Sequence, residues 1–479
     1  MVVHGGRLHW PGDAALADMP PVAGPGRIER WRNTILLLIV GLYLLFNYGF
    51  MQVRIPPVAG GGLPVGEIVL MLSLLTMNFT GVLGRLGTTV ALLPLAMWWA
   101  FGVSRALFDF ALHGAWALRD AAHVVESLFL LVGFVFASHP RTVERFYAWL
   151  PKLLIVCVLY GFLLPVQRDI WLLSPTITSG TGYDTPLFGS MLTTPFLTIT
   201  AAFYLLIFHS RKLSANLGAV VLIGYTVAVW QARTLYLVLI ALFAFMMLYR
   251  RSSAGSLGFV VYVSAIGLAL IALLGLQFQG RLGASFDFNF LVHHFLAIFG
   301  IGSSEYEGVT SAAQGVDQRL DWWTSIFQRM LADPFHLLLG LGYGVPLTDF
   351  HGGSGAIVRE PHNSYISVVA RTGIIGAVCW VMIIVGLLRR WHLTFRRCRE
   401  LGWRLGENRL MIMMVYFISM FVLAIGEDGF EKPYNVIPFY FFWGIVLRFG
   451  YLLERGEIGP EAEDDGSPES GDAPQPRAR

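Results

Sequence analysis

The feature that most constrains this chain is a series of apolar runs about 17 to 25 residues long, the length that a helix needs to cross a bilayer. Twelve such runs can be placed, near residues 34–51, 66–84, 88–108, 117–138, 149–166, 190–208, 215–231, 234–250, 256–276, 371–389, 410–426 and 435–452. Backbone groups in a bilayer must be paired within the segment, so each run is expected to be a helix. The sequence therefore predicts an all-α polytopic integral membrane protein with about twelve transmembrane helices.

Composition excludes the soluble class. The chain is 55% hydrophobic and 14% charged, whereas soluble proteins have about 25% charged residues. Its three cysteines, Cys157, Cys379 and Cys398, lie in predicted helices or on the basic side, so no external disulfide framework is expected. Residues 1–33 lack an apolar core and do not resemble a cleavable signal peptide, so we expect the first helix to serve as an uncleaved anchor.

Positive charge predicts the orientation, because loops rich in Lys and Arg stay cytoplasmic. The basic segments are the N-terminal tail 1–33, Arg85, residues 141–152, 211–212, 250–251 and the loop 389–409. Both termini are therefore predicted to be cytoplasmic, and the acidic C-terminal tail 453–479 is predicted to be disordered. Helices one to nine span 34–276 and helices ten to twelve span 362–452. The large loop 277–361 between them is predicted to be outside, with a turn rather than a continuous helix near Arg233.

The outer loop contains a predicted amphipathic helix over residues 316–331. One face carries Trp323, Ile326 and Met330, and the other carries Asp321, Thr324 and Gln328. This pattern is typical of a helix lying on a membrane surface. Arg319 belongs to the apolar face, where a charge is costly unless it meets an anion, so Arg319 is a better ligand contact than Arg329 at the edge. Glycines at 340, 342 and 344 predict a turn that allows close backbone approach.

The stretch 361–376 joins this loop to the tenth helix. On an ideal helix His362, Gly373 and Gly376 share one face, and the two glycines would let a neighbouring helix pack closely and fix the histidine. Arg371 would face the opposite way, as an interfacial anchor.

Several spacings in this part of the chain form one pattern. In the first, His362-Asn363 is followed after nine residues by Gly373 and after two more by Gly376, and in the second, Arg233 is followed after three residues by Leu237. In the third, Arg319 with Trp322 or Trp323 precedes Pro334, Gly340 and Gly342, and in the fourth, Arg329 is followed after ten residues by Gly340. The pattern over residues 233–389 resembles the O-antigen ligase and Wzy-type polysaccharide polymerase superfamily. This resemblance implies a metal-independent, inverting glycan transfer from a polyprenyl diphosphate donor, without a cofactor, at the periplasmic face of the bacterial inner membrane.

The resemblance also implies roles for individual residues. Arg233 and Arg319 would neutralise the diphosphate, which guanidinium groups match bidentately, and His362 would act as the base. The predicted substrate-binding residues are Asn363, Trp323, Arg329, Tyr365, Gly340 and Gly342. The expected partners are an undecaprenyl-diphosphate-linked oligosaccharide donor, a glycan or lipid A-core acceptor, the bilayer, and other components of a polysaccharide assembly complex. Nucleic acid is not among them.

Other interpretations remain open. A polytopic transporter or flippase for lipid-linked glycans has the same hydropathy, although such folds usually show internal repeats and interrupted helices. A membrane scaffold without catalysis is a third possibility. Within the enzyme class, polymerase, ligase and protein O-oligosaccharyltransferase share the pattern, with a slight preference for a polymerase. Arg105, His123 and Glu126 lie at membrane depth, where they are either functional or an internal Arg–Glu pair that locks two helices.

Overall fold

The structure is a computed structural model that describes residues 2–4, 7–9, 26–56, 62–79, 92–178, 184–250, 254–274, 278–279, 285–286, 288–302, 307–348 and 358–460. Several sequence predictions fall outside these residues. They are those for most of the N-terminal tail, for the end of the second apolar run with Arg85, for parts of the outer loop, and for the acidic tail beyond residue 460.

The described chain is almost entirely helical. Its helices are α1 Arg27–Met51, α2 Val65–Thr76, α3 Leu92–His113, α4 Ala115–Asp120, α5 Ala122–Glu126, α6 Phe129–Phe136, α7 Pro140–Gly161, α8 Gln167–Leu173, α9 Thr194–Phe208, α10 Leu213–Tyr225, α11 Arg233–Tyr249, α12 Ala254–Leu274, α13 Phe288–Leu296, α14 Glu307–Leu331, α15 Pro334–Leu339, α16 Ser364–Glu400, α17 Arg404–Gly426 and α18 Pro433–Glu454. Short 3-10 turns occupy Leu164–Val166 and Ala297–Phe299, and a π turn Thr226–Trp230 extends α10.

Strands are limited to four antiparallel pairs of two or three residues in the described parts of the chain. They pair Val2–His4 with Arg7–His9, Arg54–Ile55 with Leu63–Pro64, Thr176–Thr178 with Asp184–Pro186, and Phe278–Gln279 with Ser285–Phe286. The prediction of an all-α fold is confirmed.

Seven helices among the described residues are long and apolar enough to cross a membrane, or eight if the bent pair of 122–136 and α7 counts as one span. The other predicted runs that are described form shorter apolar helices, including α2, α9 and α11. The chain is thus a polytopic membrane protein, and the count of twelve stays a prediction, because helices of 12 to 17 residues can complete a span only with their neighbours.

Burial separates the centre of the bundle from its lipid-facing edge. The most apolar window of α18 is fully buried, whereas that of α12 is only 11% buried. A helix that exposes so many apolar side chains is stable where those side chains contact lipid. We therefore place α12 at the periphery of the bundle and α18 in its core.

Two local predictions have opposite outcomes. Residues 141–152, predicted as a cytoplasmic loop, are the first half of α7, which starts at Pro140 and is bent by 117° from the helix before it. Proline is favoured in the first turn, and His139 caps the helix by accepting a hydrogen bond from the Arg141 amide. The predicted turn before Arg233 is confirmed, because Gln231 has a φ of 47° and α11 begins at Arg233.

Candidate active site

His362 lies on an irregular segment immediately before α16 and not on the helix itself. Its φ of 51° is in the left-handed region. Asn363 caps α16, accepting a hydrogen bond of 3.1 Å on its Oδ1 from the Ile366 amide. The helix is also broken at Gly373, which has a φ of 61°. The prediction that His362, Gly373 and Gly376 share one face of a continuous helix is therefore wrong.

Two carboxylates face the His362 imidazole. They come from the turn of residues 427–432 between α17 and α18, called here the acidic turn. The Nδ1 atom of His362 lies 3.3 Å from Asp428 Oδ2 and 3.7 Å from Glu427 Oε2. Asp428 raises the pKa of His362, although burial of the ring acts in the opposite direction. Because the carboxylate stabilises the imidazolium, it makes the imidazole a stronger base.

Arg233 and Arg319 approach the acidic turn from two other elements. Arg233 begins α11, and Arg319 lies within α14. A Cβ placed on Gly426, the last residue of α17, would lie 3.9 Å from Arg319 Nη1 and 3.4 Å from the hydroxyl oxygen of Thr234. The charges of Arg233 and Arg319 act on each other, and Arg319 also acts on His362. The structure thus brings together the three side chains for which the sequence predicts catalytic roles.

Neither of these guanidinium groups is neutralised by a close carboxylate. Arg233 Nη1 donates a hydrogen bond of 2.8 Å to the carbonyl of Ala297. Among the described residues, no ion pair within 4 Å involves Arg233 or Arg319. The nearest carboxylate charge that acts on Arg233 is the more distant one of Glu427. Two half-buried cations with no carboxylate within 4 Å favour an anionic ligand, because burying a charge that is only partly compensated is costly.

Two tryptophans fix α14 against the His362 segment. Trp323 Nε1 donates a hydrogen bond of 3.1 Å to the Pro361 carbonyl, and the Trp322 ring centroid lies 6.1 Å from that of His362. The predicted amphipathic pattern of α14 is confirmed, since Ile326 is buried while residues 321, 324 and 328 are exposed. The apolar face of α14 therefore carries Arg319 towards the histidine.

Asn363 and Tyr365, both predicted to bind substrate, contact the backbone of α17. The Asn363 amide nitrogen donates a hydrogen bond of 3.0 Å to the Ile425 carbonyl, and the Tyr365 hydroxyl donates one of 2.8 Å to the Phe421 carbonyl. These bonds hold the start of α16 against the end of α17, next to the acidic turn. Contact of either side chain with substrate stays a prediction, as it does for Trp323.

Arg329 and Gly342, also predicted to bind substrate, shape the loop that follows α15. Arg329 Nη1 lies 3.3 Å from the carbonyls of both Pro346 and Leu347. Gly342 has a φ of 90°, and a Cβ there would lie 2.5 Å from Arg105 Nη2. Both residues support the fold of the loop, and their direct contact with substrate stays a prediction.

Gly340 and Gly373 allow the backbone of this loop to pack onto the break in α16. A Cβ on Gly340, where φ is 81°, would lie 2.3 Å from the Arg371 carbonyl oxygen, and one on Gly373 would lie 2.4 Å from the Leu338 carbonyl. The close approach predicted for Gly373 is therefore to the end of α15. At Gly376 a Cβ would lie 3.0 Å from a side chain of α3.

Arg371 is buried, so its prediction as an interfacial anchor is wrong. Its guanidinium lies 3.0 Å from Asp120 and 3.2 Å from Glu360, and it is 1% exposed. Burial by itself would raise the pKa of the Glu360 carboxyl, but Arg371, together with the charges of Lys432 and Arg119, lowers that pKa to about 2. Arg359 adds a second contact to Asp120 at 3.0 Å. These ion pairs fix residues 359 and 360 immediately before His362.

Arg105 does not form the predicted alternative pair with Glu126. Its Nε lies 2.9 Å from Asp109 on the same helix, α3. His123 Nδ1 lies 3.0 Å from the Asp120 carbonyl. Glu126 is completely buried, and neither of its oxygens accepts a hydrogen bond in the described part of the chain. An internal Arg–Glu lock between α3 and α5 is therefore wrong.

The acidic turn carries a further carboxyl group, that of Glu431, which is buried. Glu431 accepts a hydrogen bond of 2.6 Å from the Ser364 hydroxyl. Burial, and then the neighbouring charge of Asp428, raise the pKa of Glu431 to about 8. Metal-ligand clusters of three or more His, Cys, Asp or Glu side chains are absent from the described ranges. The absence of a metal requirement stays a prediction.

Sequence reasoning missed the carboxylates that organise this site. Neither the motif spacings nor the resemblance gives a role to Asp428, Glu431, Glu360 or Asp120, although the short stretch 427–432 between two apolar runs carries three acidic residues. A cluster of acids in so short a loop was the available signal. What the sequence could not show was that this loop meets His362.

Comparison with known proteins gives one family match. No curated protein matches the chain. The family model described as O-antigen ligase matches residues 217–381, which include Arg233, Arg319 and His362. Residues 217–381, about a third of the chain, are therefore similar to the O-antigen ligase family, and this match supports the resemblance to the O-antigen ligase and Wzy-type polysaccharide polymerase superfamily.

Proposed function

We propose that the chain is an inverting glycosyltransferase that transfers or polymerises oligosaccharide units carried on a polyprenyl diphosphate, without a metal ion. The observation that carries this proposal is the convergence of one imidazole, paired with Asp428, and two guanidinium groups at the acidic turn. This set supplies a base beside a site for an anion, as the transfer requires.

In the proposed reaction, an acceptor hydroxyl attacks the anomeric carbon of the donor sugar. The acceptor oxygen bonds to that carbon while the bond to the diphosphate oxygen breaks, and His362 takes the hydroxyl proton. Arg319 and Arg233 neutralise the polyprenyl diphosphate that leaves with the bonding electron pair. Asp428 stabilises the imidazolium that forms. Stabilising the leaving group in this way replaces a strong general acid.

The donor is proposed to be undecaprenyl-linked and the acceptor a growing glycan or lipid A-core. Positive charge in the loops supports a periplasmic site in the bacterial inner membrane with cytoplasmic termini. The family match supports lipid-linked glycan substrates.

A strain lacking the chain tests the reaction class. Glycans that remain as single repeat units indicate a polymerase, whereas long chains retained on the carrier lipid indicate a ligase. Unchanged lipid-linked and surface glycans would contradict the proposal.

The variant His362→Ala separates catalysis from transport. We expect transfer to fall by roughly 100-fold to 10,000-fold, the contribution of a general base, while binding of the lipid-linked donor persists. Both are measured with purified protein, donor and acceptor. Tyr262→Phe, on the exposed surface of α12, is the matched control and should retain full transfer. Wild-type transfer by His362→Ala would contradict the proposed role.

A further inference from the structure

A basic cleft lies at the opposite end of α16 from His362. It has a volume of about 650 Å³ and is lined by the end of α11 and by the junction of α16 with α17. Three guanidinium groups line it, those of Arg250, Arg399 and Arg404, together with Glu407 and Asn408. This cleft is not used by the proposed reaction.

Protein contacts leave positive charge in the cleft. Arg399 Nε lies 3.7 Å from Glu407, and Arg250 Nη1 donates a hydrogen bond of 2.6 Å to the neutral Asn408 amide oxygen. No ion pair within 4 Å involves Arg404 in the described part of the chain. Three guanidinium groups therefore share one carboxylate.

Two other arginines near this end of the bundle each have a carboxylate partner of their own. Arg390 lies 2.6 Å from Glu454, and Arg409 makes a bidentate pair with Glu144. In the cleft, by contrast, the charge of Arg404 acts unfavourably on the half-buried Arg250. Cations held close together with one counter-ion are stabilised by an anion that bridges them.

Lipid-facing surface adjoins the cleft. Leu248, which lines it, is 75% exposed, and Met247 beside it is 48% exposed. A second cleft of about 680 Å³ shares Leu248, Tyr249 and Arg399 and adds His392, Arg396 and Glu400. Arginines bordered by exposed apolar side chains match a phosphate headgroup whose acyl chains lie along α11.

We propose that this cleft binds a phosphate-bearing anion through Arg250, Arg399 and Arg404. The phosphate comes either from the headgroup of an anionic phospholipid or from a soluble phosphate compound. Guanidinium forks hold phosphate oxygens bidentately, and the exposed Leu248 favours the lipid. The site is distinct from that of His362.

Full-length protein in detergent tests the proposal by native mass spectrometry with added phosphatidylglycerol or phosphatidylcholine. We expect preferential retention of phosphatidylglycerol, about tenfold weaker in Arg404→Gln, which loses a charge-assisted contact, and weaker again in Arg250→Gln/Arg404→Gln. Arg404 is exposed, so its replacement should not impair folding. Arg397→Gln is the matched control, because Arg397 is in the same basic stretch but does not line the cleft.

A second measurement identifies the source of the phosphate. Inorganic pyrophosphate, added in detergent without lipid, would raise the unfolding temperature of wild type and Arg397→Gln by more than that of Arg404→Gln if the ligand is soluble, because the site of Arg233 and Arg319 is intact in all three proteins. Equal retention of both lipids together with an equal effect of pyrophosphate on wild type and Arg404→Gln would overturn the proposal. An equal loss in Arg397→Gln would also overturn it, because general surface charge would then explain the binding.

Discussion

At the scale of single residues, the site depends on the partners of one imidazole. His362 is held outside the helix at a φ of 51°, a backbone conformation that is uncommon for residues other than glycine, although Asn, Asp and His adopt it more often than the rest. Its Nδ1 faces Asp428, and this leaves Nε2 as the nitrogen to accept a proton from a substrate. The carboxylate therefore both orients the ring and strengthens it as a base.

The variant Asp428→Asn tests this pairing through pH dependence. Asp428 raises the pKa of His362, so its neutralisation lowers that pKa and the neutral imidazole then persists to lower pH. We expect the acidic limb of the rate profile to move to lower pH, while maximal transfer falls at least about tenfold because the ring loses its orienting partner.

Glu427→Gln is the comparison for Asp428→Asn, since Glu427 is farther from the imidazole and half exposed. Glu427→Gln should move the acidic limb of the rate profile less than Asp428→Asn does, because solvent screens the charge of Glu427. A limb that stays in place in Asp428→Asn would show that His362 is not the group whose ionisation controls the rate.

At the scale of secondary-structure elements, the break in α16 determines what surrounds the histidine. The loop after α15 packs against that break through backbone hydrogen bonds, from the Leu341 amide to the Ala370 carbonyl at 2.6 Å and from the Gly342 amide to the Arg371 carbonyl at 3.2 Å. The loop covers Arg371, which in turn fixes Glu360 beside His362. The loop after α15 thereby holds, through Arg371 and Glu360, the segment that carries His362.

The variant Gly340→Ala tests the contact between this loop and α16. The added methyl group would lie 2.3 Å from the Arg371 carbonyl, on a residue with a φ of 81°. We expect a loss of about 1–3 kcal/mol in stability, as for other overpacked sites, and reduced transfer. A thiol-reactive fluorophore measures unfolding, because Cys157, Cys379 and Cys398 are buried in the fold.

Gly224→Ala is the control for Gly340→Ala, because a Cβ at Gly224 in α10 meets nothing within 4 Å. It should unfold at or above the wild-type temperature, since alanine favours a helix more than glycine does. Equal unfolding temperatures for Gly340→Ala and wild type would contradict the tight packing of the loop.

At the scale of the whole molecule, the two ends of α16 differ in chemistry. One end carries His362 and the acidic turn, and the other carries the arginines of the basic cleft. The positive-inside tendency predicts that the arginine-rich end is cytoplasmic. The proposed reaction would then face the periplasm, where lipid-linked glycans are presented.

Labelling of single cysteines tests this orientation. Asp321→Cys places a thiol on the exposed face of α14, and Arg397→Cys places one at the arginine-rich end. In intact spheroplasts, a membrane-impermeant maleimide should label position 321 and leave 397 unlabelled until the membrane is opened. The buried native cysteines give a low background. The reverse pattern would invert the proposed orientation.

The sequence by itself determined the features that depend on neighbours along the chain. Apolar runs predict membrane helices because lipid requires internally paired backbone. The period of α14 predicts its buried face, and Gln231 and Arg233 within an otherwise apolar stretch predict the turn before α11. The spacing of the motifs led to Arg233, Arg319 and His362 without any knowledge of their positions in space.

Only the tertiary structure decided which charges meet. Asp428 is far from His362 in sequence, and nothing local indicates that they pair. The sequence predicts Arg371 as an interfacial anchor facing away from His362 because both residues are placed on one ideal helix. In the structure the helix begins at Ser364, after His362, and the loop that packs on it buries Arg371 against Asp120 and Glu360. The physical reason is that burial and ion pairing depend on packing between distant segments, whereas helix formation depends mainly on near neighbours.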